Sequence, residues 1–174
     1  MLMDERERER IRAAIASAEG GSPTPALNDE GLRSLLVGSR TIAVVGASPK
    51  VDRPSYGVLV ALARAGWQVL PVNPADAALR DGVAGLTCYP DLASAAATLP
   101  AGERIDLVDV FRRPEDCAEV ARAACAVGAG ALWLQLGIIS AEAARIAAAA
   151  KIPYVEDRCT AIEVRRLGIS GPAG

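Results

Sequence analysis

The sequence predicts a three-layer α/β fold: a Rossmann-like, doubly wound parallel sheet in a single domain. Short, nearly unbroken apolar runs recur along the chain, with helical segments standing between them. That alternation is the pattern of βαβ units. The runs lack the polar alternation of a half-exposed sheet, so both faces of each strand are expected to be covered. The length of 174 residues fits one domain of ordinary size.

The elements follow in order. Residues 3–18 alternate Glu and Arg, then turn rich in Ala and Ile. Glu5, Glu7 and Glu9 against Arg8, Arg10 and Arg12 offer i,i+3 pairs, so a helix is expected. The breaker cluster Gly20-Gly21-Ser22-Pro23 ends it. Asn28 or Asp29 caps a second short helix that runs to Val37. Thr41–Val45 is a buried-strand run closed by Gly46, and residues 55–65 form a helix with Val58, Leu59, Leu62 and Ala63 on one face. Trp67–Val72 is the second strand. After a polar stretch over 76–85, Leu86–Tyr89 reads as a third, short one, and Asp91 caps a helix over 91–98. Ile105–Phe111 is a strand, followed by a helix from Pro114 to about Ala126. The strand Ala131–Leu136, a helix capped by Ser140, the strand Ile152–Val155 and a helix over 160–167 complete the pattern. The chain thus divides into a helical extension (1–33), the sheet domain (34–168) and a short tail (169–174).

Composition removes several classes of function. Hydrophobic residues make up 51% and the net charge is −2, which supports a packed core and gives no basic excess for nucleic acid. No apolar run approaches the roughly 18–20 residues of a membrane span. The charged start has no apolar h-region, so a cytoplasmic location is expected. There is no histidine. A Ser–His–Asp triad, histidine-ligated zinc and phosphohistidine chemistry are therefore excluded. Cys88, Cys117, Cys125 and Cys159 show no CxxC spacing and read as reduced thiols, with no metal site expected.

Ligands of such folds bind outside the carboxyl ends of the strands, where the strand order reverses. The first strand leads into Gly46-Ala47-Ser48-Pro49-Lys50, with Arg53 and Ser55 close behind. Gly46 permits a tight turn, Lys50 and Arg53 bring charge, and Ser55 stands where it can cap a helix whose amino end favours an anion. A phosphate or diphosphate suits this segment, and so does a plain glycine turn with solvated cations. GxGxxG is absent, since Ser48 and Val51 stand where its later glycines belong. The second strand ends in Pro71-Val72-Asn73-Pro74, without the acid that reads a ribose 2′-hydroxyl. NAD is thus disfavoured, and no P-loop occurs. The two prolines make a rigid rim for a purine, or simply a turn. Further strand ends bring Phe111, Arg112 and Arg113, then Gln135, Leu136 and Gly137, then Glu156-Asp157-Arg158-Cys159-Thr160. Cys159 has no histidine to serve as its base and reads as structural.

GASPK, PVNP, DVFR, LQLG and EDRC, in this order at successive strand ends, resemble the small stand-alone CoA-binding proteins. These share their fold with the CoA-binding domain of the succinyl-CoA synthetase alpha subunit. The resemblance covers roughly residues 34–168. It implies that Gly46, Ala47, Ser48 and Lys50 form the loop that meets the CoA diphosphate, with Arg53 and Ser55 assisting. It implies that Val72, Asn73 and Pro74 border the nucleotide, and that Phe111 and Arg112 form a third ligand-facing strand end. Gln135, Leu136 and Gly137 would lie where the pantetheine arm turns. The synthetase carries its phosphohistidine in a second domain, and this chain has neither that domain nor a histidine. The expectation is a cytosolic protein that binds coenzyme A or an acyl-CoA without catalysis of its own, with no nucleic acid or membrane as partner. The alternatives are an NAD(P)-type enzyme on the same fold and the CoA-binding subunit of a split acyl-CoA synthetase. A homodimer or an unidentified protein partner fits the N-terminal extension as well as solvated charge does.

Overall fold

The computed structural model describes residues 25–172, so the helix expected over 3–18 lies outside the described residues. The elements are α1 (Asp29–Gly38), β1 (Thr41–Val45), α2 (Pro54–Arg64), β2 (Gln68–Val72), α3 (Leu92–Ala96), β3 (Leu107–Val110), α4 (Cys117–Ala126), β4 (Leu132–Leu134), α5 (Ala141–Ala149), β5 (Tyr154–Val155) and α6 (Thr160–Leu167). The strands form one all-parallel sheet in the order β2-β1-β3-β4-β5. The fold is the Rossmann-like α/β architecture expected.

Strand periodicity divides the core into two layers. Ala43, Val45, Leu70, Val108, Val110 and Leu132 face one way, under Leu92, Ala121 and Ala144 of α3, α4 and α5. Ile42, Val44, Val69, Leu107 and Trp133 face the other, under Leu36, Leu59 and Val164 of α1, α2 and α6. Burial on both faces explains why the strands read as continuous apolar runs. Asn28, Asp91 and Ser140 cap α1, α3 and α5 through Gly31 N–H, Ser94 N–H and Ala143 N–H, as expected. Pro71 sits in β2, an edge strand, where a missing N–H costs least.

The segment Leu86–Tyr89 is not a strand. Val83 and Leu86 exchange both backbone hydrogen bonds, and Gly82, Ala84 and Gly85 take positive φ around them. The chain therefore turns tightly, and only Tyr89 reaches β2, in a single parallel bridge to Val72. The expected helix 114–126 opens with a 3-10 turn over Pro114–Asp116, and α4 proper starts at Cys117.

The order reverses between β1 and β3. From β1 the chain crosses to β2 on one side, then returns to β3 on the other. The loops leaving β1 and β3 consequently diverge, and a crevice opens between them at the carboxyl edge.

Candidate functional site

The cleft begins with Gly46. Its φ is +86°, and a Cβ built there would stand 2.4 Å from the Phe111 carbonyl oxygen. Only glycine lets the loop after β1 pass so close to the end of β3. Its N–H donates to the Val72 carbonyl at 2.9 Å, so this amide anchors the loop rather than facing a ligand.

The loop continues through Ser48, Pro49, Lys50 and Arg53 to α2. Pro54 takes the first helical position of α2, leaving Arg53 as its N-cap residue without a side-chain cap. Ser55, expected at the cap, instead lies inside the first turn, buried but lining the cleft. The amino end of α2 thus presents its partial positive charge to the cleft with no side chain in competition.

The cleft has a volume of about 860 Å³. It brings together Gly46, Ser48, Lys50, Arg53 and Ser55 from the β1–α2 segment. Asn73, Phe111, Arg112, Gln135 and Leu136 join them from the ends of β2, β3 and β4. Four expected residues lie elsewhere. Ala47 is fully buried in the core, because the loop turns its side chain inward. Gly137 is outside the lining and donates its N–H to Asp157 Oδ1 at 2.7 Å. Val72 and Pro74 line a second pocket of about 350 Å³ on the opposite side of the sheet edge. Arg112 borders both cavities.

Charge is distributed unevenly along the cleft. Lys50, Arg53 and Arg112 make no ion pair among the described residues. Arg113 does: it pairs with Asp116 at 3.0 Å and Glu115 at 3.5 Å. The opposite end is apolar, with Leu136 at 63% and Ile162 at 49% exposure beside Ile138 and Cys159. A ligand with an anionic portion and a less polar arm matches this gradient.

Asn73 fixes the two nearest loops relative to each other. Its Nδ2 donates to the Ala47 carbonyl at 2.8 Å and to Asp76 Oδ2 at 3.0 Å, while its Oδ1 accepts from Ala75 N–H. Asp76 lines the cleft and was missed by sequence reading, which stopped at the PVNP turn. It supplies an acid near the end of β2 where none was expected.

Beneath the cleft lies a buried polar cluster. Gln135 Nε2 donates to Asp109 Oδ1 at 2.6 Å and to Thr160 Oγ1 at 2.8 Å, and the Thr160 hydroxyl donates to Asp109 Oδ2 at 2.8 Å. Burial raises Asp109 to about 7, against the opposing pull of the Gln135 and Thr160 hydrogen bonds. All four cysteines are free thiols. Burial also pushes the Cys117 thiol up to about 11, which makes it unreactive. No group of three or more potential metal ligands occurs among the described residues, and no helix there is long and apolar enough to cross a membrane.

Comparison with known proteins shows the family and the fold. A family model for the CoA binding domain matches residues 40–165, which span β1 to α6 and every cleft residue named above. The Bacillus subtilis (strain 168) "Uncharacterized protein YneT" is 35% identical over 113 residues, covering 64% of this chain and 76% of that protein. A Thermus thermophilus structure, cell-free ID.343, is 35% identical with a TM-score of 0.71, covering 81% of this chain and 99% of that one. Prb, a PH1109 protein redesigned for binding, is 34% identical with a TM-score of 0.72, covering 83% and 95%. With its sheet, its strand-end cleft and a match over most of its length, this chain belongs to the CoA binding domain family.

Proposed function

We propose that this protein holds coenzyme A, free or acylated, across the carboxyl edge of its sheet and performs no reaction on it by itself. The observation that carries the reading is the set of three cations, Lys50, Arg53 and Arg112, that line the cleft at the amino end of α2 and have no ion-pair partner among the described residues. They suit the diphosphate through charge-assisted hydrogen bonds. The smaller pocket floored by Val72, Leu92 and Val120 and rimmed by Pro74 and Asp91 suits a purine, with Arg112 between base and phosphates. The arm then runs toward Gln135 and the apolar end at Leu136 and Ile162. Absence of catalysis rests on chemistry: there is no histidine, Asp109 is fully buried behind Gln135, and Asp76, the acid in the lining, accepts from the Asn73 amide. Asp76 reopens one argument against NAD, but the glycine fingerprint is still lacking at Ser48 and Val51.

Calorimetric titration with CoA, NAD and ATP tests this. The wild type is expected to bind CoA and not NAD, and Lys50→Ala to bind CoA about tenfold more weakly, the scale of one charge-assisted contact. Heat with NAD or ATP and none with CoA would overturn the assignment.

A further inference from the structure

The buried cluster under the cleft has a consequence for which ligand group can lie above it. Gln135 is 3% exposed, yet it lines the cleft. Both hydrogens of its Nε2 are engaged below, one by Asp109 Oδ1 and one by Thr160 Oγ1. Its Oε1 has no protein donor among the described residues. No buried side-chain nitrogen or oxygen among the described residues lacks a partner, so this oxygen must lie at the cleft surface. With Asp109 ionised, the orientation of the amide is set by its partners. Turning it over would then place Oε1 against a carboxylate oxygen 2.6 Å away and leave the Thr160 hydroxyl as the one donor to Asp109.

We infer that Gln135 is the specificity-determining acceptor of the cleft. Asp109 and Thr160 are positioning residues that hold its carbonyl toward the ligand. Resting on the CoA reading above, this assigns the contact to a hydrogen-bond donor on the arm of the ligand, an amide N–H or the thiol S–H. A ligand with only acceptors at that place leaves Oε1 desolvated and unpaired, which selects against it.

Calorimetry with CoA and with 3′-phosphoadenosine 5′-diphosphate, which carries the same anionic portion without the arm, tests the inference. Gln135→Leu is expected to weaken CoA about tenfold and leave the diphosphate within about twofold of the wild type. Thr160→Val is expected to weaken CoA about threefold, and Thr160→Ser, which keeps the hydroxyl, to restore it. A variant that merely misfolds would lose both ligands, and Thr160→Ser against Thr160→Val then carries the test. S-methyl-CoA separates the two donors: weaker wild-type binding assigns the thiol, equal binding an amide N–H. CoA binding that survives unchanged in Gln135→Leu and Thr160→Val overturns this inference alone. Failure of the wild type to bind CoA at all overturns the parent reading, and the inference with it.

Discussion

Two aspartates three residues apart mark the two edges of the sheet, and they do opposite things. Asp106 precedes β3 at the amino edge. Its Oδ2 accepts from the backbone N–H groups of Arg40 and Thr41 at 2.8 and 3.1 Å, and Arg104 lies 3.5 Å from its other oxygen. Asp109 stands near the carboxyl end of β3, fully buried, and its partners are side chains, Gln135 and Thr160. The first acid fastens backbone, and its other oxygen faces Arg104. The second orients an amide that borders a cleft. The cations differ in part: Arg104 is paired at the amino edge and Arg113 at the carboxyl edge, while Lys50, Arg53 and Arg112 of the cleft make no ion pair among the described residues. Polar groups closed on one another mark structure, and groups left open around a cavity mark the place of function.

The largest effect expected from this contrast is a pH dependence unique to Asp109. Its pKa is raised in the folded state, from 3.8 to about 7. Its contribution to stability is therefore fully present in acid, below its unfolded value, and is lost as the pH rises through about 7. The loss is on the order of 4 kcal/mol. Thermal melts between pH 4 and 8 should show Asp109→Asn without this decline. Matching slopes in wild type and variant would remove Asp109 from the account. Next in size is Gly46→Ala, which forces a Cβ against the Phe111 carbonyl at positive φ. It is expected to cost about 2–4 kcal/mol by chemical denaturation and to abolish CoA binding. Asp106→Ala removes an acceptor from two backbone donors and is expected to cost about 1–3 kcal/mol while leaving CoA affinity unchanged. Weaker CoA binding in Asp106→Ala would break the separation of the two edges.

Much of this was legible in the sequence, for identifiable reasons. Strands buried on both faces announce themselves as apolar runs, so β1 to β5 were found. Helix caps at Asn28, Asp91 and Ser140 are local, and all three hold. Errors came where a tertiary contact decides. Leu86–Tyr89 has strand-like residues, but the turn over Val83–Leu86 leaves only Tyr89 to pair. Ser55 looks like a cap until Pro54 takes the first helical position. Ala47 belongs to a glycine-loop motif, yet its side chain points into the core. The cluster of Asp109, Gln135 and Thr160 joins β3, β4 and α6 across separations of 26, 25 and 51 residues, and no spacing rule reveals it. Asp76 escaped because it comes after the turn rather than on the strand.

The most direct test of the central claim is amide NMR of the uniformly labelled protein during titration with CoA. The shifts are expected over residues 46–55, 111–114 and 135–138, at Asn73 and Asp76, and at Val72, Asp91, Leu92 and Val120 of the purine pocket, while Arg40 and residues 102–106 stay still. Shifts at the amino edge, or none at the carboxyl edge while CoA binds, would contradict it.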